Sequence, residues 1–269
     1  MNGKPLSCEN MVTIKEKIEA IPDAMRKMGW NVSADLMQRW IHSPAWVMPE
    51  AWKKAQPETL PMSHMDQDIV RMNWAMANQR VRIAMNELRT RMHNGPAKAL
   101  LRKRLAGLSW GADNRATVGS RQHKAVHLDL TCQSNASPFG GKLNTMDDLY
   151  GGLGNATLKV ALIGDAMRDA RTGGLALQVT HAGFYIRDTY DFNGFQYLGT
   201  WTKSGVLSKA QMLMNTLSDG IALGWGDEPI GNVFNHDFDM YRCTTGFGGD
   251  FVIYSDVYWE PADILLDLS

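Results

Sequence analysis

Cysteine is scarce in this chain. There are three, Cys8, Cys132 and Cys243, no two close in sequence and none in a C-x-x-C pair. That argues against a zinc ribbon, a thiol redox motif and a disulfide framework. It fits a protein made and kept in a reducing compartment. Long apolar runs are also missing, so no stretch reads as a membrane span. The opening MNGKPLSCEN has no apolar core of the signal-peptide kind. The expectation is a protein cytoplasmic in its producer, with no integral membrane segment, which leaves the cell, if it does, by another route.

Familiar catalytic signatures are absent too. The sequence holds no GxxxxGK[ST], no GxSxG and no HExxH, and no cysteine has a nearby histidine. Gly151-Gly152-Leu153-Gly154-Asn155 is glycine-rich, but it leads into a strand pattern. A phosphate cradle needs a helix N-terminus there, so the stretch is expected to be a turn.

A net charge is lacking as well, with 28 basic and 28 acidic residues, but the balance hides an asymmetry. Residues 71–124 hold twelve Lys/Arg against two acids, whereas residues 125–269 hold eight against seventeen. The basic residues are interleaved with apolar ones at helical spacing. Docking of the two parts on each other is therefore favoured over binding of nucleic acid.

What is present is a globular composition, 44% hydrophobic with 9 Trp and 17 Met, in a chain of 269 residues. That is enough for one large domain or two small ones. The fold class expected is α+β, with a helical region over 1–110 and a mixed, mainly antiparallel β region over 111–269. Residues 13–41 read as helix broken near Gly29, with Ser33 as an N-cap for 34–41. Residues 66–92 read as the longest helix, stopped at Asn94-Gly95-Pro96. A second basic helix follows over 97–108.

Beyond Gly111 period 2 replaces period 3.6. Residues 125–130 (AVHLDL) suit a strand, 134–141 a loop, and 145–148 a capping box for a short helical turn. Residues 157–167 alternate as a strand, although Leu158, Leu162 and Ala166 would also suit a helix, and strand is the expectation; residues 175–186 read as a strand. A helix capped by Ser208 is expected over 208–217, a loop over 224–231, and a final strand over 251–259 ended by Glu260-Pro261.

Asn193-Gly194 lies between two aromatic runs and is the strongest short hairpin signal in the chain. With those two residues as the turn, Tyr190 faces Tyr197, Asp188 faces Gly199 and Ile186 faces Trp201. Asp188 then sits on an aromatic face, where a carboxylate is costly without a partner. It either holds the hairpin or does chemistry.

Three acidic clusters are candidates. They are Asp188-Thr189-Tyr190-Asp191, the stretch 235–242 (NHDFDMYR), and Asp250 with Ser255-Asp256. Paired carboxylates near His or Tyr can do acid/base work or hold a divalent metal. His236 with Asp237 and Asp239 has ligand types that suit such a metal, at a spacing that matches no defined motif. Arg242 can pair with Asp239 or with an anionic substrate, and pairing within the protein is the safer expectation.

The stretches IRDTYDFNGFQYLGTW, DFDMYR and GGDFVIYSDVYW, with AIPDAMRKMGWNVSADLMQRWIHSPAW near the N-terminus, resemble an uncharacterised bacterial family of unknown function. Its members are often encoded beside type VI secretion components of the VgrG and PAAR type. The resemblance implies an antibacterial effector with a VgrG- or PAAR-type partner and an immunity protein. A local resemblance, the D-x-Y-D of Asp188, Tyr190 and Asp191, is to colicin M-type toxins, which cleave a lipid-linked peptidoglycan precursor. It implies a hydrolase acting on the cell envelope, with Asp188, Tyr190 and Asp191 in the site and His236 or Arg242 joining from elsewhere. The competing expectation is a non-enzymatic adaptor, chaperone or immunity-type protein.

Overall fold

Apolar residues at helical spacing build the N-terminal region. Ile18 and Ile21 are buried, as are Ala24 and Met25, and Leu36, Met37 and Trp40 form the inner face further on. They belong to α1 (Cys8–Glu19), α2 (Ile21–Lys27) and α3 (Asn31–His42). The break falls at Gly29, whose φ of +78 is a left-handed value that glycine adopts without a Cβ penalty. The computed structural model describes residues 8–53, 60–141, 146–192, 196–208 and 229–269. The helix expected over 208–217 and the Asn193-Gly194 turn lie outside the described residues.

The fold is α+β, with helices preceding the strands. After α4 (Glu50–Lys53), β1 (Met65–Asp66) and α5 (Met72–Met76) come α6 (Gln79–Arg91) and α7 (Gly95–Leu105). The single helix expected over 66–92 is therefore two helices and a strand. Asn78 interrupts it, because its side chain accepts the Arg80 N–H and starts α6 afresh. Ser33 lies inside α3, where its hydroxyl bonds Asp148, so the helix starts at Asn31 and not after Ser33.

The chain divides into two compact units that interleave in sequence. The first is Met1–Pro49, Leu143–Gly154 and Tyr190–Phe251; the second is Glu50–Lys142, Asn155–Thr189 and Val252–Ser269.

The second unit is built on a seven-stranded sheet among the described residues. Its main path runs β1, β9 (Phe251–Tyr254), β5 (Leu175–Tyr190), β4 (Asn155–Arg168), β2 (Arg115–Val118), with β10 (Tyr258–Asp267) on β5 and β3 (Gln133–Gly140) on β4. The alternation read over 157–167 and 175–186 is realised as the long antiparallel pair β4 and β5, where Leu158 faces Ile186 and Lys159 faces Tyr185.

Three local expectations fail in this unit. Residues 125–130 are not a strand but α8 (Ala125–Thr131). Ala125, Leu128 and Cys132 fall on one helical stripe and are all buried, and the alternation of AVHLDL disguised that spacing. Residues 134–140 are strand and not loop. Glu260-Pro261 does not end the last strand, because β10 runs through it with a bulge between Pro261 and Ile264.

The first unit carries a small sheet, β7 (Gly205–Val206), β6 (Tyr197–Thr202) and β8 (Pro229–Phe234), with α9 (Asp148–Leu153) and α10 (Asn235–Thr245). The pairing expected across Asn193-Gly194 does not form. Tyr197 faces Phe234 and Gly199 faces Val233 on β8, while Ile186 faces Leu158. The other edge of β5 is taken by β9 and β10, so no edge is left for β6. Gly151 and Gly152 are helical in α9 and sit against Trp30, Ser33 and Leu36 of the N-terminal helices. The turn expected there is confined to Gly154.

Candidate functional site: a buried carboxylate under three cationic and phenolic side chains

One face of the β4–β5 pair is apolar, with Leu158, Val160, Leu162, Phe184 and Ile186 buried. The opposite face carries Lys159, Tyr185 and Arg187, because successive side chains alternate. A polar face on a central strand pair needs a partner, and α8 supplies one. Its buried stripe includes Asp129 beside Leu128 and Cys132.

Asp129 is 3% exposed and accepts from three side chains. Lys159 Nζ donates to Oδ1 at 2.7 Å, Tyr185 OH to Oδ1 at 2.8 Å, and Tyr254 OH to Oδ2 at 2.9 Å. Arg187 stands behind Tyr254, with its Nε donating to the phenol oxygen at 3.1 Å and lying 4.0 Å from Asp129 Oδ2. It is fixed from the other side by the Lys53 carbonyl at 3.2 Å.

The electrostatics are uneven. Two cations flank one carboxylate. Burial holds the Lys159 ammonium below its usual range, and Arg187 and Arg104 add to that, against the pull of Asp129 upward. Burial and the Asp129 charge push the Tyr185 and Tyr254 phenols well above theirs, so both stay protonated donors. Burial pushes the Cys132 thiol up to about 11. That is a structural thiol and not a nucleophile. Lys159 is thus a lysine with a weakened hold on its proton, at 17% side-chain exposure. Such groups are functional-site candidates.

The residues nominated from sequence fall elsewhere. Tyr190 is buried in the first unit, stacked on Phe251 with ring centroids 5.2 Å apart, and burial pushes its phenol up. Arg242 is buried as well. Its Nη2 donates to Asp250 at 2.8 Å, its Nε to the Gly248 carbonyl at 2.8 Å, and its Nη1 to Asp239 at 3.0 Å. Asp250 also accepts the Trp40 indole at 3.0 Å and the Met48 amide at 2.9 Å. Burial raises the Asp250 carboxyl, and the nearby Asp191 charge raises it further.

Of the five nominated residues, then, Tyr190, Asp191 and Arg242 lie in the first unit around Asp250 and its aromatic surround, with Phe192 stacked on Phe238 at 3.8 Å. Asp188, half-buried, belongs to the second unit. His236 is exposed in the first turn of α10.

The acidic stretch 235–242 lies in this helix. Asp237 accepts the Phe234 amide at 2.8 Å at its start and the Lys17 ammonium at 2.8 Å. The third acidic cluster separates: Asp256 accepts the Met72 amide at 2.6 Å and starts α5. Among the described residues no group of three or more His, Cys, Asp or Glu could hold a metal ion. None of their helices is long and apolar enough to cross a membrane.

The Asp129 centre does not show in the sequence pattern, because the alternation of residues 125–130 suits a strand as well as a helix. The signal that finds it is a carboxylate at i+4 from Ala125 on a stripe otherwise apolar, followed by Lys159 on the polar face of a strand.

No curated protein and no solved structure matches the chain. A family model does match, over residues 17–267, nearly the whole length. The chain therefore belongs to DUF6402, a family of unknown function.

Proposed function

We propose that this protein is an antibacterial effector of the type VI secretion system, a hydrolase that attacks an envelope component of rival bacteria, and that Lys159 is its general base. The single observation that supports catalysis is Lys159. It contacts Asp129 at 2.7 Å, yet burial holds its ammonium below the usual range. In its deprotonated form the Lys159 amine takes a proton from water. The hydroxide formed attacks the electrophilic atom of the substrate, and the resulting ammonium returns the proton to the leaving group. Asp129 positions the amine, and Arg187 stabilises negative charge that develops on the substrate.

The delivery reading rests on the sequence resemblance to chains encoded beside VgrG- and PAAR-type components. It carries a secretion-apparatus partner and an immunity protein with it. A second reading, a non-enzymatic adaptor or chaperone, draws on Tyr197 and Phe234. They are 43% and 39% exposed with rings 5.2 Å apart, a surface suited to binding another protein.

Expression in the periplasm and, separately, in the cytoplasm of a test bacterium separates the two. Periplasmic killing that is lost in Lys159→Met supports the effector. Absence of killing in both compartments sinks it and favours the adaptor. Asp188→Ala, Asp191→Ala and His236→Ala belong in the same series. If they abolish killing while Lys159→Met does not, the catalytic centre lies with the D-x-Y-D residues.

A further inference from the structure

His123 and His127 take no part in the chemistry above. His123 lies just before Lys124, the N-cap of α8, and His127 lies in the first turn, with the two rings in contact. Each backbone is held, by the bond from His123 N–H to the Ser120 carbonyl at 3.1 Å and from His127 N–H to the Lys124 carbonyl at 3.0 Å. The ring centroids are 4.1 Å apart and the planes are inclined at 60°. His123 Nδ1 is buried with no hydrogen-bond partner. An orphaned ring nitrogen beside a second imidazole is an unusual cost to keep in a fold.

The surroundings of His127 disfavour its charged form. Burial, and then the neighbouring His123, hold the His127 imidazolium below its usual range. A neutral imidazole carries the lone pair that a metal takes.

We propose that His123 and His127 form a two-point chelate for a borderline transition cation of the Zn2+, Ni2+ or Cu2+ class. Imidazole nitrogens suit these ions, whereas Ca2+ and Mg2+ need oxygen ligands that this pair does not offer. A cation bound at about 2.0–2.1 Å from each nitrogen gives the orphaned His123 Nδ1 a bond it otherwise lacks. Since no larger set of His, Cys, Asp or Glu is gathered among the described residues, the remaining coordination positions are filled by water. The site is independent of the Lys159 reading, and α8 carries both His127 and Asp129.

The test is calorimetric titration of the full chain with ZnCl2 and NiCl2, repeated on His127→Gln, His123→Gln and His236→Gln. His127 is exposed, so its substitution leaves the fold intact. The expected result is one saturable equivalent in the wild type, weakened about tenfold or more in His127→Gln and in His123→Gln and unchanged in His236→Gln, each tenfold being about 1.4 kcal/mol. In parallel, substoichiometric Cu2+ should broaden the ring resonances of His123 and His127 before those of any other histidine. Equal affinity in His127→Gln, first broadening elsewhere, or no saturable binding at all would each overturn the site.

Discussion

Lys159 Nζ and Tyr185 OH donate to the same oxygen, Asp129 Oδ1, at 2.7 and 2.8 Å, from residues that face each other across β4 and β5. The lysine nevertheless holds its proton more weakly than a free lysine does. Asp129 is the one group that opposes that trend. Asp129→Asn should therefore lower the Lys159 pKa further, and NMR titration of the lysine ε-carbon resonance checks it. A rise would contradict the assignment.

The two partners should differ in what they contribute to stability. Asp129 collects Lys159, Tyr185 and Tyr254, so Asp129→Ala leaves three buried donors unmatched. A loss of about 3–5 kcal/mol is expected, as for a broken buried pair. Lys159→Met leaves both tyrosine bonds in place, with Arg187 4.0 Å from the carboxylate. The expected loss is about 1 kcal/mol. Urea unfolding of the two variants side by side measures the difference.

The same lysine gives a pH dependence with a defined sign. Its folded pKa lies below the unfolded value of 10.5, so between the two the unfolded chain binds more protons. Stability from this group is complete above the unfolded pKa and is lost as pH falls through the folded one. The stability of wild type relative to Lys159→Met should therefore rise as pH increases toward 10.5. Paired urea midpoints at neutral and alkaline pH read it, and the tyrosines, common to both proteins, cancel.

Arg242 is expected to be structural. Its guanidinium already serves Asp250, Asp239 and the Gly248 carbonyl. Arg242→Ala should cost about 3–5 kcal/mol by leaving Asp250 buried and poorly matched. Arg242→Lys should rescue little, since an ammonium cannot reproduce the fork. A folded Arg242→Ala protein of normal melting temperature would return Arg242 to the list of residues free to meet a substrate.

Gly248 supports the same cluster. Its φ is +99, and a Cβ there would come within 2.5 Å of the Trp40 ring. Gly248→Ala combines backbone strain with overpacking, and about 2–4 kcal/mol of destabilisation is expected by thermal melting.

The fold was legible where local pattern decides. The alternation over 157–167 and 175–186 became β4 and β5 because a half-polar pleated face leaves a period of two in the sequence. The helical N-terminus was legible because its apolar residues recur near a period of 3.6. What the pattern does not carry is the choice of partner. Asn193-Gly194 is a hairpin signal in the sequence, but β5 already has β4 on one edge and β9 and β10 on the other, and β9 and β10 are distant in sequence. The candidate site was lost with α8. AVHLDL satisfies both periods, and only the burial of Cys132 beyond its end settles the choice. Asp129 follows from that choice, because on a strand it has no reason to meet Lys159.

The central claim is that Lys159, its hold on the proton weakened by burial, acts as general base in a reaction in the envelope of a target cell. The most direct measurement is survival of a test bacterium expressing, in its periplasm, wild type, Lys159→Met or Lys159→Arg, each confirmed folded by circular dichroism. The account predicts killing by wild type alone, because arginine keeps the charge but cannot give up its proton. Equal killing by all three would contradict it.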